Sequence, residues 1–159
     1  MTAELHPNAV RVADALAAAG HPDRVVVLSL PAPTAAAAAR QLGCDVGAIA
    51  NSLIFDADGE PLLVLTSGAH RADTAVLAAA VGAATVRRAS ADFVRTHTGQ
   101  PIGGVAPVGH PAPVPTLVDT WLGRHDRLWA AAGHPHTVFP TTYEQLITLT
   151  RGRTLDVAG

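Results

Sequence analysis

The sequence predicts a mixed α/β fold, with a central mixed sheet or partly closed barrel surrounded by helices. Short runs of branched apolar residues alternate with segments of helical spacing, and turn or capping residues separate most of them. The chain has 159 residues, of which 48% are hydrophobic and 15% charged, as is typical of a packed globule. No linker or internal repeat divides it, so we expect one domain over residues 1–159.

Most of the predicted elements begin at a capping residue or end at a glycine. Side-chain oxygens of Ser, Thr and Asp cap helices, and glycine adopts the left-handed conformation in which helices often end. Asp58-Gly59 marks a hairpin turn, because glycine tolerates the positive φ that such turns need. In chain order the predicted elements are a helix from Pro7 that Gly20 stops, a strand at Arg24–Leu28, a helix from Thr34 through Gln41 before Gly43, strands at Asn51–Phe55 and Pro61–Thr66, a helix from Asp73 to Val81 before Gly82, a short helix from Ser90 closed by Gly99, strands at Val114–Val118, Leu128–Ala132 and Thr137–Phe139, and a helix at Thr142–Thr148 capped by Thr141 or Thr142.

Charge and cysteine content narrow the range of functions. The formal net charge is −2, and all eleven cationic side chains are arginines, so the chain does not have the basic balance of a protein that holds nucleic acid by charge alone. Cys44 is the one cysteine, which excludes an internal disulfide and favours a reducing compartment. The start of the chain lacks the apolar core of a secretory signal, and no apolar run approaches the ~20 residues of a membrane span. We expect a cytoplasmic protein without membrane association.

The segment from Gln100 to Pro113 is long, irregular and rich in glycine and proline. Glycines let a backbone approach a ligand closely, and prolines stiffen the path between them. Such a loop can present N–H groups to a carbonyl or carboxyl oxygen. The alternative is a rigid connector between layers of the fold. No lysine follows the glycines, which excludes a phosphate-binding P-loop.

Four motifs in this order resemble the YbaK/EbsC family, the prolyl-tRNA synthetase-associated editing domains. Gly103–Pro107 matches the GxxxP loop of that family, and the resemblance spans roughly Ala35 to Leu149. The other three motifs are Ile49–Phe55 (a central strand), Ser67–Asp73 (a strand-to-helix connection) and Ala132–Phe139 (a glycine-histidine turn).

The resemblance implies a protein that hydrolyses the ester joining a noncognate amino acid to the 3′ end of tRNA. It implies that the loop holds the aminoacyl carbonyl through backbone amides and that no cofactor is needed. An aminoacyl-tRNA synthetase or an elongation factor is then the expected partner that delivers the aminoacyl-tRNA 3′ end. The implied catalytic residues are Asn51, Gly103 and His134. The implied substrate-binding residues are Ser52, Gly104, Val105, Ala106, Pro107, His110, Gly133 and His136.

Position 51 departs from the family pattern, which places a lysine there. An asparagine amide is neutral and shorter than an ammonium side chain, so Asn51 can hold a carbonyl or hydroxyl but cannot anchor a phosphate by charge. The sequence contains no lysine, and Arg71 and Arg127 are the candidates to supply a cation in its place. A second hypothesis is therefore a catalytically impaired member that binds an aminoacyl end, a tRNA end or a protein partner.

The eight histidines raise a third hypothesis, a histidine-ligated metallohydrolase. His134 and His136 are two residues apart, which places both on one face of a strand, and His110, His70 and Asp73 are further potential ligands. No HExxH or paired-cysteine spacing supports this reading. The sequence therefore favours no bound metal.

Overall fold

The structure is a computed structural model that describes residues 5–159. Its helices begin and end close to the predicted limits, and each of the predicted capping side chains accepts a hydrogen bond from the first turn of its helix. The α-helices in this range are α1 (Pro7–Ala18), α2 (Ala35–Leu42), α3 (Thr74–Val81), α4 (Ala91–Thr98) and α5 (Tyr143–Thr150), with 3-10 turns at Val46–Ala48 and Thr120–Arg124.

Eight strands form one sheet within the described residues, which confirms the predicted mixed α/β class. The strands are β1 (Val26–Val27), β2 (Ile49–Ala57), β3 (Glu60–Ser67), β4 (Val86–Arg88), β5 (Thr116–Asp119), β6 (Leu128–Ala131), β7 (Thr137–Thr141) and β8 (Arg153–Leu155). The order is β1-β7-β6-β2-β3-β5-β8, and β4 pairs with β2. The pairs β2–β6, β3–β5 and β5–β8 are parallel, and the others are antiparallel.

Two strands, β4 and β8, were not predicted from the sequence. Each has only three residues, and each carries exposed arginine. Segments this short show no measurable alternation, and their pairing depends on the neighbouring strand. The predicted strand at Arg24–Leu28 is shorter than expected, because only Val26 and Val27 pair with β7.

Hydrophobic clusters cover both faces of the sheet. Leu63 and Leu65 point into the larger cluster, which includes residues of α1, α4 and α5. The alternate residues Leu62 and Val64 pack with Leu77 of α3 in a second cluster on the other face. This period-two division is the pattern expected of a strand buried on both sides. Among residues 5–159, no helix is both long and apolar enough to cross a membrane.

Candidate active site

A cleft opens where the start of α2, the first half of β2, the end of β6 and the glycine-proline loop (Gln100–Pro113) meet. Its volume is about 460 Å³ when the part open to solvent is included. Its lining holds no arginine, lysine, aspartate or glutamate of the described chain, and its one ionisable side chain is His134. The lining residues are Ala32, Pro33, Thr34, Ala35, Ala38, Ile49, Ala50, Asn51, Ser52, Gly103, Val105, Trp129, Ala130, Ala131, His134, Thr137 and Val138.

A gap in strand pairing along β2 creates one wall of this cleft. The parallel ladder with β6 ends at Ala50 and Ala130, and the ladder with β4 begins only at Phe55. Between them, residues 51–54 have β3 on one side and no described strand on the other. A ligand that enters the cleft therefore meets a strand edge that the sheet itself does not use.

Asn51 and Ser52 reach the cleft from opposite faces of β2. Successive side chains of a strand alternate, so Ser52 shares the face of Ala50 and Ile54, which pack in the same cluster as Val105 of the loop. Asn51 lies on the other face, that of Ile49, which packs against α2 and Trp129. The Ser52 hydroxyl is buried and has no hydrogen-bond partner among residues 5–159.

Backbone amides of the glycine-proline loop divide into two groups. The Gly104 N–H donates to the Pro101 carbonyl at 3.0 Å, and the Ala106 N–H donates to Oε1 of Gln100 at 2.7 Å. The N–H groups of Gly103 and Val105 have no such partner within the described chain, and both residues line the cleft. Two residues that line the cavity thus have an N–H group without an acceptor among residues 5–159, and an oxyanion-binding site needs such donors.

Two buried polar side chains hold the loop in this shape from behind. Gln100 is 1% exposed, and its Nε2 donates to the Val108 carbonyl at 3.3 Å in addition to its bond with Ala106. Nε2 of His110 donates to the Ala106 carbonyl at 2.8 Å, and burial lowers the His110 pKa against the opposing effect of this bond. His110 therefore supports the loop and does not line the cleft. The sequence held no signal for the role of Gln100, since its partners lie six and eight residues away.

Glycine at 103 and 104 is required by close contacts. Gly103 has φ +88°, and a Cβ there would lie 3.3 Å from Pro33, just before α2. A Cβ on Gly104 would lie 2.9 Å from the backbone of His134. The loop consequently packs directly on the glycine-histidine turn.

The turn after β6 presents His134 to the cleft. Gly133 has φ +96° and lies against Asn8 of α1, whose Nδ2 donates to the Gly133 carbonyl at 3.2 Å. The His136 N–H donates to Nδ1 of His134 at 3.1 Å. Partial burial, followed by the neighbouring His6 and His136, lowers the pKa of His134 below its ordinary value of 6.5. The ring is thereby held mainly in its neutral form at neutral pH.

Five of the residues proposed from the sequence line the cleft: Asn51, Ser52, Gly103, Val105 and His134. The other six, which lie beside or behind this lining, are Gly104, Ala106, Pro107, His110, Gly133 and His136. Sequence analysis missed the contribution of Pro33–Ala38 and of Trp129. Small apolar residues at a helix start and a single tryptophan have the same pattern in a plain hydrophobic core, so only the fold shows that they meet a cavity.

Of the potential metal ligands, His134 and His136 lie side by side, and His110, His70 and Asp73 do not join them in a group of three or more within the described residues. His70 pairs instead with Asp119, which is fully buried, and its ring stacks on Trp121 with centroids 3.8 Å apart. Asp73 caps α3 through the N–H of Ala75. Residues 5–159 contain no group of three or more His, Cys, Asp or Glu side chains able to bind a metal ion. The metallohydrolase hypothesis therefore has no structural support in this part of the chain.

The family model of the aminoacyl-tRNA editing domain matches residues 29–149, which include the loop, β2 and the glycine-histidine turn. The chain belongs to the aminoacyl-tRNA editing domain family. This confirms the resemblance that the four sequence motifs indicated.

Solved structures agree with this assignment. The chain is similar to a candidate trans-editing enzyme for prolyl-tRNA synthetase, with 38% identity, a TM-score of 0.92 and coverage of 98% of this chain and 99% of that one. It is also similar to a scaffold protein from computational epitope-backbone grafting, with 35% identity, a TM-score of 0.90 and the same coverages. Hypothetical protein APE2540 is 28% identical, with a TM-score of 0.86 over 92% of this chain and 98% of that chain. A comparison with curated proteins gives no match.

Proposed function

We propose that this editing domain is a trans-acting deacylase that hydrolyses the ester of mischarged tRNA. The observation that carries the proposal is the pair of loop residues, Gly103 and Val105, that line one uncharged cleft and whose N–H groups have no acceptor in the described chain. Donors left free at a cavity pre-organise a site for the oxygen on which negative charge develops. The family match supplies the substrate class to which this geometry is applied.

The proposed reaction needs only a positioned water and these donors. The water oxygen attacks the aminoacyl carbonyl carbon, and the N–H groups of Gly103 and Val105 stabilise the resulting oxyanion. The bond to the ribose oxygen then breaks, and a proton of the attacking water passes to that oxygen, which releases the tRNA with a free 3′ hydroxyl together with the free amino acid. Removing one such donor typically costs ~3–4 kcal/mol of transition-state stabilisation. The Ser52 hydroxyl is buried without a partner and is placed to bind either the water or the substrate.

The apolar part of the cleft supports selection of the amino acid by size. Alanines of α2 and the Trp129 ring form this part, and they offer few polar groups. Apolar pockets discriminate by roughly 1–3 kcal/mol per methylene, so a larger side chain is excluded more effectively than a smaller one. We propose that the substrates carry small side chains, such as alanine, serine, cysteine or threonine.

A second candidate function is binding without turnover, and the uncharged cleft favours it. Asn51 stands where the family pattern has lysine, and neither Arg71 nor Arg127 lines the cleft. No described cationic side chain is thus present there to hold a phosphate or a ribose oxygen. In this alternative the protein binds an aminoacyl end or a partner protein and leaves the ester intact.

We further propose that residues 1–159 act as one domain in the cytoplasm.

The net charge of −2 supports weak affinity for tRNA by itself, because tRNA binding by charge alone needs a basic surface. A synthetase or an elongation factor then delivers the aminoacyl-tRNA 3′ end to the cleft.

The test is a panel of mischarged tRNAs carrying alanine, serine, cysteine and threonine. The purified protein should release amino acid from at least one of them faster than buffer does. Release from none of them contradicts the enzymatic proposal and leaves the binding function.

Replacing Asn51 separates the two candidates. Asn51→Lys introduces the cationic side chain of the family pattern into the cleft. Asn51→Met introduces an uncharged side chain of a length similar to that of lysine and serves as the matched control. A large gain of deacylation in the lysine variant alone indicates that the native protein is catalytically impaired. Equal activity in all three proteins indicates that position 51 is not the limiting element.

A further inference from the structure

Three histidine rings stack beside the cleft. The His6 and His134 centroids are 4.6 Å apart with planes inclined by 28°, and those of His134 and His136 are 5.4 Å apart at 26°. His134 is the middle ring and the one that lines the cleft. A ring held between two others loses rotational freedom, so its nitrogens keep fixed directions.

The hydrogen bonds around His134 select one neutral tautomer. Its Nδ1 accepts the N–H of His136 at 3.1 Å, so Nδ1 carries no proton and the neutral ring is protonated at Nε2. Protonation of Nδ1 would set two N–H groups against each other. Nε2–H therefore remains as the donor available to a ligand in the cleft.

His6 is tied to the same turn through α1. Its Nδ1 accepts the N–H of Asn8 at 3.1 Å and so caps the helix, and Asn8 in turn donates to the Gly133 carbonyl at 3.2 Å. A Cβ on Gly133 would come within 3.0 Å of the Asn8 carbonyl oxygen, which shows how closely the turn lies against α1. The first turn of α1 thus sets the position of His6 relative to His134.

We propose that His6 is a positioning residue: its ring holds the His134 ring in the orientation in which Nδ1 accepts the His136 N–H, so that His134 stays the neutral Nε2–H tautomer, a hydrogen-bond donor to the bound aminoacyl end and not a proton acceptor. The inference rests on the proposed function for the identity of the ligand. It assigns a role in the cleft to a residue outside the matched family segment, since that match begins at residue 29.

The surroundings of His134 agree with a neutral donor. His6 from α1 and His136 from the same turn are the ionisable groups that act on it, and the loop approaches it with glycine backbone. Both neighbours, together with partial burial, lower the pKa of His134. No carboxylate of the described residues lines the cleft to stabilise an imidazolium.

Two variants at position 6 separate stacking from capping. Asn is among the preferred N-cap residues, so His6→Asn keeps the cap and removes the ring. His6→Phe keeps a ring face and removes the cap. Long-range ¹H–¹⁵N spectra of the imidazoles report the tautomer, with the His134 signals assigned by their loss in His134→Gln.

We expect the Nε2–H pattern for His134 in the wild-type protein and in His6→Phe, and averaged tautomers in His6→Asn. The thermal midpoint should be lower in His6→Phe than in His6→Asn, because only His6→Phe loses the helix cap. Deacylation by His6→Asn should show a lower kcat with little change in KM. If His6 acted only through general stability, the tautomer of His134 would change most in the variant with the lower thermal midpoint.

The inference is overturned if wild-type His134 carries its neutral proton on Nδ1, or if His6→Asn keeps the wild-type pattern. Because the spectra need no tRNA, they test the positioning role of His6 independently of the proposed deacylase function. The Nε2–H pattern together with an inactive protein would refute only the deacylase proposal. Deacylation with Nδ1–H on His134 would refute only the positioning role.

Discussion

The polar groups around Asp119 and those around Gly103 differ in how they use their hydrogen bonds. Asp119 is fully buried, and its carboxylate accepts the N–H groups of Ser67 and Trp121 at 2.9 and 3.1 Å in addition to pairing with His70. At the cleft, the N–H groups of Gly103 and Val105 have no partner in the described chain.

The paired groups of Asp119 stabilise the fold, whereas the unpaired N–H groups of the loop belong to the proposed binding site. Buried polar groups are nearly always paired, because an unpaired one costs about 1–3 kcal/mol. The Asp119 carboxylate avoids that cost and joins β3, β5 and the 3-10 turn that follows β5, although Nδ1 of its partner His70 has no hydrogen-bond partner among the described residues. Near the loop the N–H groups of Gly103 and Val105 have no acceptor in the described chain, as the proposed oxyanion site requires. The number of histidines in the sequence does not distinguish the two regions, because each of them contains at least one.

The largest expected effect is on stability, in Asp119→Ala. The substitution leaves two backbone N–H groups without an acceptor, and we expect the free energy of unfolding to fall by about 3–5 kcal/mol. Denaturant unfolding measures the loss, and Asp126→Ala, at an exposed position nearby in sequence, is the control with little change. Asp119→Asn should remain folded and active; an inactive but folded Asp119→Asn would place Asp119 in the active site.

Gly104→Ala should have the largest effect on deacylation with a smaller effect on stability. The new methyl group would meet the His134 backbone at 2.9 Å, so the loop and the turn must move apart. We expect a cost of about 1–3 kcal/mol in stability from overpacking and a roughly 100-fold loss of kcat/KM, because displacing catalytic groups by about 1 Å can cost this much.

Gly123→Ala is the control for that variant. Its methyl group would meet the Tyr143 ring at 3.2 Å, in a contact away from the cleft. We expect normal deacylation and a loss of stability no larger than that of Gly104→Ala. If both variants lose activity in parallel, the loop–turn contact has no special role in the cleft.

The smallest effect concerns acid stability and His110. Burial lowers the folded-state pKa of His110 below its ordinary value of 6.5, so the unfolded chain binds its proton first as pH falls. The stability that neutral His110 contributes is complete above pH 6.5 and is lost as pH falls through the folded-state pKa. His110→Gln keeps an N–H donor for Ala106 without a titratable ring, and its stability should depend less on pH below 6.5.

Unfolding free energies on both sides of pH 6.5 measure this effect. His97→Gln serves as the control, because the His97 ring packs on Phe93 and makes no hydrogen bond in the described structure. It should retain the acid dependence of the wild type. An unchanged dependence in His110→Gln would mean that another group controls acid stability.

Local signals predicted the helices and the central hairpin well. Thr34, Asp73, Ser90 and Thr142 each cap the helix expected of them, and Asp58-Gly59 closes the hairpin between β2 and β3. These signals work because each depends on residues only a few positions apart. The strands β4 and β8 lacked such signals, since their residues are stabilised by pairing with distant strands.

By itself, the sequence determined the fold class, the helix caps, the irregular loop and the family to which the chain belongs. Each follows from residue type and near-neighbour spacing, or from motifs in a recognisable order. Only the tertiary structure decided that Val105 faces the cleft while His110 supports the loop behind it, and that Gln100 holds a loop amide. Which backbone groups stay free depends on what the rest of the fold leaves unpaired, and no local pattern in the chain records that.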